Sequence, residues 1–214
     1  MRHVLFAKTP LFAFVLALLF MSNIANAEKR VALVVGIDAY ERLTPEKQLK
    51  KAVQDARSVS ANLRELGFTV TKAENASRFQ LNQSWAAFVN SIEPGDVAAF
   101  YFSGHGVEMG GVNYLIPGDI PPLESDQGEL LKSEALSFEI MMEALRKRRA
   151  RVSLIILDAC RNNPFVDRHG KSLGSEGGLA RVQPPEGTFV LYAAGVGQRA
   201  LDRLSDFDPA PNSV

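Results

Sequence analysis

The chain has 214 residues, 46% hydrophobic and 22% charged, which suits one globular domain with a substantial core and excludes disorder or a coiled coil. Lysines plus arginines number 24 and so do aspartates plus glutamates, a balance that offers no basic field to a nucleic acid. Cys160 is the single cysteine, so no internal disulfide can form and the fold must rest on packing.

The amino terminus carries Arg2 and Lys8, an apolar core LFAFVLALLFM over 11–21, and then Ala25-Asn26-Ala27 before Glu28. This is the pattern of a secretory signal peptide over 1–27 with an A-x-A cleavage site, and it predicts an exported protein, periplasmic or secreted. The apolar core is about half of the roughly 20 residues a spanning helix needs, so no stable membrane anchor is expected after cleavage.

From Arg30 the sequence RVALVVGIDAY predicts a buried strand over 31–35 with a close turn at Gly36. A phosphate-binding turn needs three glycines in G-x-G-x-x-G spacing, and only Gly36 is present; Gly104-His105-Gly106 also misses, with Met109 at the third position. A flavodoxin-like nucleotide or flavin binder would share the layout but would lack its phosphate loop.

Between 45 and 66, apolar or small residues from Leu49 to Leu66 recur every three or four positions, and Gly67 follows. The spacing predicts an amphipathic helix with Asp55 at the border of its apolar stripe. A short strand over 68–71 precedes Ser77 and Gln80, which form a capping box for a second helix through Leu81, Trp85, Phe88, Val89 and Ile92. Pro94-Gly95-Asp96 then turns the chain into an apolar run, VAAFYF over 97–102. Alternation of strands and helices predicts a parallel sheet covered on both faces.

That run gives way to Ser103, Gly104, His105 and Gly106, which offers an imidazole at a strand end. By the period of two, Ser103 and His105 share a side, and the flanking glycines let the backbone come close to a substrate. A hairpin turned at Gly110-Gly111 follows, then an acidic loop through Glu124, Asp126 and Glu129. Ser137 caps a helix through Met141, Met142 and Leu145 that ends in Arg146-Lys147-Arg148-Arg149, bases suited to a helix C-terminus.

The organising stretch is RVSLIILDACRNNPF over 151–165, a buried strand that delivers Asp158 and Cys160 to its carboxyl end with the two on one face. A free thiol, with a pKa of about 8.5, is only slightly ionised at neutral pH, and an adjacent imidazole can take its proton. If the two strands are neighbours, His105 and Cys160 can meet. Residues 166–187 are rich in glycine and proline and predict a mobile, exposed loop; 188–194 resumes the sheet, and 202–214 is a polar tail. No metal site is expected, because Cys160 and His169 cannot assemble a usual zinc set.

Taken together, these residues resemble the caspase-like cysteine peptidases, most closely the metacaspase and bacterial caspase-family branch. The matching pieces are VALVVGIDAY, the helix bearing Gln54-Asp55-Ala56, the run Tyr101-Phe102-Ser103-Gly104-His105-Gly106, and Leu157-Asp158-Ala159-Cys160. His105 precedes Cys160 by 55 residues (160 − 105), close to the roughly 50 of caspases.

The resemblance implies an α/β fold, a three-layer αβα sandwich with a mainly parallel sheet of about six strands, within a catalytic domain over 28–201. It implies Cys160 as nucleophile and His105 as general acid/base, with no third triad member required. It further implies an oxyanion hole from the backbone N–H groups of Cys160 and Gly106. The primary specificity pocket would be built from Asp55, Ser103 and Asp158, which places the chain with the relatives that cut peptide or protein substrates after arginine or lysine.

No cofactor is implied; several metacaspases need calcium, and the acidic loops here have no EF-hand spacing that would assign a site. The resemblance also implies that 166–187 is equivalent to the linker where animal caspases are processed, so this loop is expected to be cut, by the enzyme itself or another peptidase, with Arg168, Lys171 and Arg181 as candidate basic P1 residues. Where many metacaspases follow the cysteine with His-Ser-Gly, this chain has Arg161-Asn162-Asn163. Family members also continue past 188–194 with further helices. The competing function is a non-catalytic, caspase-like binding or scaffold domain.

Overall fold

The apolar run after Arg30 forms β1 (Arg30–Gly36), buried along almost its whole length because both of its faces are covered. It lies within a parallel sheet ordered β2-β1-β3-β6-β7, in which β2 is Thr69–Glu74, β3 Val97–Met109, β6 Val152–Cys160 and β7 Thr188–Tyr192. The computed structural model describes residues 28–160, 163–165, 173–174, 179–193 and 212, with Cys160 described by its backbone. The expected signal peptide over 1–27, half of the 166–187 loop and nearly all of the tail lie outside the described residues.

Helix α1 (Ala52–Glu65) packs Ala56 and Leu63 on one face of the sheet, against Ala32, Val34, Ala99 and Tyr101. The other face meets α2 (Arg78–Ser91) and, beyond the short α3 (Gly128–Glu134), α4 (Phe138–Arg148). There Leu81, Phe88 and Leu145 close over Leu33, Phe100 and Leu157. This is the expected three-layer sandwich. Full burial of each large apolar side chain, such as Leu33 or Phe102, contributes about 1.5–3 kcal/mol.

The two halves of β3 belong to different ladders. From Val97 to His105 it pairs in parallel with β6, and from Gly106 to Met109 it pairs antiparallel with β4 (Val112–Leu115), which in turn pairs with β5 (Leu136–Ser137). Among the described residues there are thus seven strands, five of them in the parallel sheet, in line with the mainly parallel sheet expected. Ser103 to Gly106 is therefore extended strand, because its backbone finds partners on both sides after the apolar run ends.

Local signals were mostly realised. Ser77 accepts a hydrogen bond from the Gln80 N–H while the Gln80 side chain accepts from the Ser77 N–H, closing the capping box. Gly110 and Gly111 turn the β3–β4 hairpin with φ of 63° and 85°, which glycine adopts without strain.

Several expectations changed: Ser137 takes the N-cap position of α4 but its side chain makes no cap hydrogen bond, and the strand expected over 68–71 runs Thr69–Glu74. The helix does not start near Pro45: residues Pro45–Lys47 make one 3-10 turn, and Gln48 is extended at ψ 148° because its side chain is committed to the backbone of Tyr40 and Leu43. The acidic loop contains α3, organised around buried Leu131. Within the segment read as an exposed loop, Leu173 and Leu179 are buried in the core, and Asn113 grips Ala180 through both its amide groups at 2.7 and 2.8 Å.

Candidate active site

The carboxyl ends of β1, β3 and β6 meet where the chain's path across the sheet reverses, β2 lying on one side of β1 and β3 on the other. Open parallel sheets bind their ligands at such a crevice. The register between β3 and β6 sets Ser103 opposite Asp158 and His105 opposite Cys160. Neighbouring strands lie about 4.8 Å apart, so the two backbones that carry the imidazole and the thiol are adjacent.

His105 is buried, with 3% of its surface exposed, and it is held at two points by the loop that follows β1. Its backbone N–H donates to the Tyr40 hydroxyl at 2.6 Å, and its ring lies 4.6 Å from the Tyr40 ring. Its Nε2 lies 2.7 Å from the Lys47 carbonyl oxygen. A carbonyl only accepts, so Nε2 carries the hydrogen, and in the neutral ring the lone pair resides on Nδ1. The main-chain carbonyl of Lys47 thus occupies the orienting position that a carboxylate fills in a Ser-His-Asp triad.

The expected pocket residues are also brought together. Asp55 sits in the first turn of α1, buried to 5%, on the sheet face that carries Tyr101, and Ser103 is buried beside them. Tyr101 donates its hydroxyl hydrogen to Asp158 Oδ2 at 3.0 Å. Burial pushes the Tyr101 phenol well above its ordinary pKa, and the carboxylates of Asp158 and Asp55 push it further, while a hydrogen bond with Ser103 acts in the opposite sense. The phenol is therefore a permanent donor, ringed by the three residues assigned to the pocket.

The glycines around His105 serve close packing inside the protein. A Cβ on Gly104 would stand 2.9 Å from both the Tyr40 hydroxyl and the Phe102 ring, and one on Gly106 would stand 3.0 Å from Leu179 and 3.1 Å from Ala159. Gly36 does the same for α1: a Cβ there would lie 2.5 Å from the Ala52 carbonyl oxygen and 2.7 Å from the Ala56 Cβ. That contact lets the start of α1, and Asp55 with it, settle on the sheet.

Sequence reasoning missed Tyr101, Tyr40, Gln48 and the Lys47 carbonyl. Tyr101 had a signal, since it lies two residues before Ser103 on the same strand face. Tyr40 and Lys47 reach His105 across separations of 65 and 58 residues, and no local pattern announces such contacts. Just before α1, buried Lys51 donates to the Asn212 carbonyl at 3.1 Å, and Ser58 donates to the Asn212 side-chain oxygen at the same distance. Among the described residues no group of three His, Cys, Asp or Glu could hold a metal ion, and no helix is long and apolar enough to cross a membrane.

The chain is similar to several known proteins. A family model described as the caspase domain matches residues 29–214. Human mucosa-associated lymphoid tissue lymphoma translocation protein 1 is 24% identical over 142 residues, covering 66% of this chain and 16% of that protein. A protein named "Probable protease" from a Desulfuromonadales bacterium is 28% identical over 195 residues, covering 80% of this chain and 23% of that one. The chain therefore spans less than a quarter of the length of these curated relatives. Among solved structures, the Drosophila initiator caspase Dronc gives a TM-score of 0.46 at 16% identity, covering 76% of this chain and 54% of the other. With the caspase-domain model matched over nearly the whole of the described sheet, and His105 and Cys160 in register on adjoining strands, the chain belongs to the caspase family of cysteine peptidases.

Proposed function

We propose that this chain is a cysteine endopeptidase that hydrolyses peptide bonds after arginine and lysine. The observation that carries the reading is the grouping of Asp55, Ser103, Asp158 and Tyr101 on the sheet face that also presents His105, opposite Cys160.

The chemistry follows from those positions. Cys160 Sγ gives its proton to His105 Nδ1 and attacks the carbonyl carbon of the P1 residue, while the backbone N–H groups of Cys160 and Gly106 receive the developing oxyanion. The carbon–nitrogen bond breaks as the imidazolium passes its proton to the leaving amine, and a thioester remains. Water then attacks the thioester, His105 taking its proton and returning one to the sulfur, so that a carboxylate and the free thiol are released. The Nε2–H···O bond to Lys47 strengthens when the ring is charged, which stabilises the imidazolium between the two steps.

Specificity follows from charge. Two carboxylates in one partly desolvated site repel each other, and a guanidinium or ammonium relieves that cost through charge-assisted hydrogen bonds. The planar fork of arginine can engage both acids, so arginine should lead lysine. An aspartate at P1 would add a third negative charge, a misplacement that costs on the order of 2–5 kcal/mol.

A P1 scan with fluorogenic peptide amides tests the reading. Arginyl and lysyl substrates should be cut, aspartyl ones rejected, and Asp55→Asn or Asp158→Asn should erode the basic preference. Equal hydrolysis of aspartyl and arginyl substrates, or an unchanged preference in both variants, defeats it.

A further inference from the structure

The loop between β1 and α1 holds the histidine at two places, and a single side chain ties those places together. Gln48 Oε1 accepts a hydrogen bond from the Tyr40 N–H at 2.6 Å, while Gln48 Nε2 donates to the Tyr40 and Leu43 carbonyls, each at 2.8 Å. Both donors of the amide and one acceptor position are thus spent on backbone groups, in the way a neighbouring strand would pair them. The grip spans the loop: Tyr40 is the residue whose hydroxyl takes the His105 N–H, and Lys47, adjacent to Gln48, is the residue whose carbonyl takes Nε2.

We propose that Gln48 is a positioning residue for His105. By fixing Tyr40 and Lys47 relative to each other, it keeps a carbonyl on Nε2 and so holds the ring in the Nε2–H tautomer, with Nδ1 left to exchange a proton with the Cys160 thiol. This deepens the peptidase reading and rests on it for its kinetic consequence; its structural consequence, the tautomer, stands apart from any activity.

The effect of Gln48 is to stiffen the loop. Besides those of the Gln48 amide, the loop's backbone bonds include Leu43 N–H to the Tyr40 carbonyl, Lys47 N–H to the Thr44 carbonyl, Gln48 N–H to the Pro45 carbonyl, Glu41 N–H to the Gly118 carbonyl and, closing its base, Leu49 N–H to the Asp38 carbonyl. Of these backbone bonds, none reaches from the 3-10 turn at Pro45–Lys47 to Tyr40, the span that the Gln48 amide covers. Without the amide, the Tyr40 N–H and the Tyr40 and Leu43 carbonyls lose the bonds that Gln48 supplies, the Tyr40 carbonyl keeping that of the Leu43 N–H, and the hold on the turn bearing the Lys47 carbonyl is loosened. A displacement of about 1 Å is enough to cost a hundredfold in rate when a reacting geometry depends on it. The Gln48 amide is spent on Tyr40 and Leu43 and not on the pocket residues Asp55, Ser103 or Asp158, so substrate binding should be spared.

Two variants test the proposal. Gln48→Leu keeps the volume and removes every polar atom; Gln48→Glu keeps the acceptor for the Tyr40 N–H and, when ionised, loses both donors. On a fluorogenic peptide amide with arginine at P1, kcat should fall by about 10- to 100-fold in Gln48→Leu and less in Gln48→Glu, with KM within about twofold of the parent. In protein labelled with ¹⁵N-histidine and carrying Cys160→Ala, long-range ¹H–¹⁵N spectra at alkaline pH should show His105 as Nε2–H only, and the same protein with Gln48→Leu or Gln48→Glu should show both tautomers. The proposal is overturned if either folded variant keeps the single Nε2–H tautomer, or if kcat stays within twofold of the parent in both. Should the parent enzyme cut no peptide at all, the peptidase reading fails, and the tautomer spectra still decide the role of Gln48.

Discussion

Replacing Tyr101 by phenylalanine removes one oxygen atom and, with it, the donor that fixes Asp158. The bond spans 3.0 Å in a site where Tyr101 is only 5% exposed, and a hydrogen bond to a charged group contributes roughly 1.5–3 kcal/mol. In a chain of this size each 1 kcal/mol moves the melting temperature by about 2–4 °C, so Tyr101→Phe should melt about 3–12 °C lower near neutral pH. Released from its donor, the Asp158 carboxylate no longer meets a guanidinium in a fixed orientation. The value of kcat/KM for an arginyl substrate should fall about tenfold, equivalent to about 1.4 kcal/mol, while that for a norleucyl substrate should hold.

The phenol adds a signature in pH. Burial, with the neighbouring carboxylates, raises its pKa above the ordinary value of 10.0, so the unfolded chain releases the phenolic proton first as the pH rises. Wild-type stability should therefore fall above about pH 10 with a component that Tyr101→Phe lacks. Thermal unfolding across pH and a two-substrate kinetic comparison measure both effects. An arginyl-to-norleucyl ratio that stays within twofold of wild type, alongside an unchanged melting temperature, would refute the role of Tyr101 in fixing Asp158.

Gly36→Ala should destabilise by about 1–3 kcal/mol by overpacking, since its Cβ would meet the Ala52 carbonyl oxygen at 2.5 Å, and chemical denaturation reads this directly. Because α1 must retreat to make room, the arginyl preference should weaken in the same variant. Glu74, hydrogen-bonded by Arg57 and then Lys72, has its carboxyl lowered to about 2 from 4.5; the stability it adds is complete above about pH 4.5 and lost as the pH falls toward 2, so Glu74→Gln should flatten that part of an acid-unfolding profile. The basic, apolar and A-x-A segments at the amino terminus predict a mature protein beginning near Glu28 and working outside the cytoplasm, and intact-mass analysis of the exported protein should show the loss of 1–27; retention of Met1 would oppose it.

Much of this architecture was legible because its causes are local or periodic. Val31 to Val35, 97–102 and 152–157 read as buried strands because a parallel sheet covered on both sides needs apolar residues at every position. Ser77 with Gln80, and Gly110 with Gly111, announce a cap and a turn through the chemistry of single residues. Asp55, Ser103 and Asp158 could be placed on their elements by periodicity, while their grouping as a pocket came from the family resemblance and not from any spacing.

What stayed hidden was non-local. The apolar period through Leu49 predicted helix where Gln48 instead spends its amide on Tyr40 and Leu43, and that competition lies in the folded loop and not in any spacing. The carbonyl that orients His105 belongs to the backbone, which the sequence cannot distinguish from one residue to the next. Leu173 and Leu179 sit in a segment with no apolar period, each burying one side chain into a site prepared by other elements.

Activation of the Cys160 nucleophile by His105 is read out by treating the folded protein with a peptidyl-arginyl acyloxymethyl ketone and locating the adduct by tandem mass spectrometry. A single adduct on Cys160 is expected, absent in Cys160→Ala and formed at least about a hundredfold more slowly in His105→Ala, the smallest loss usual for a catalytic base. An unlabelled wild-type protein, or equal labelling of wild type and His105→Ala, would contradict it.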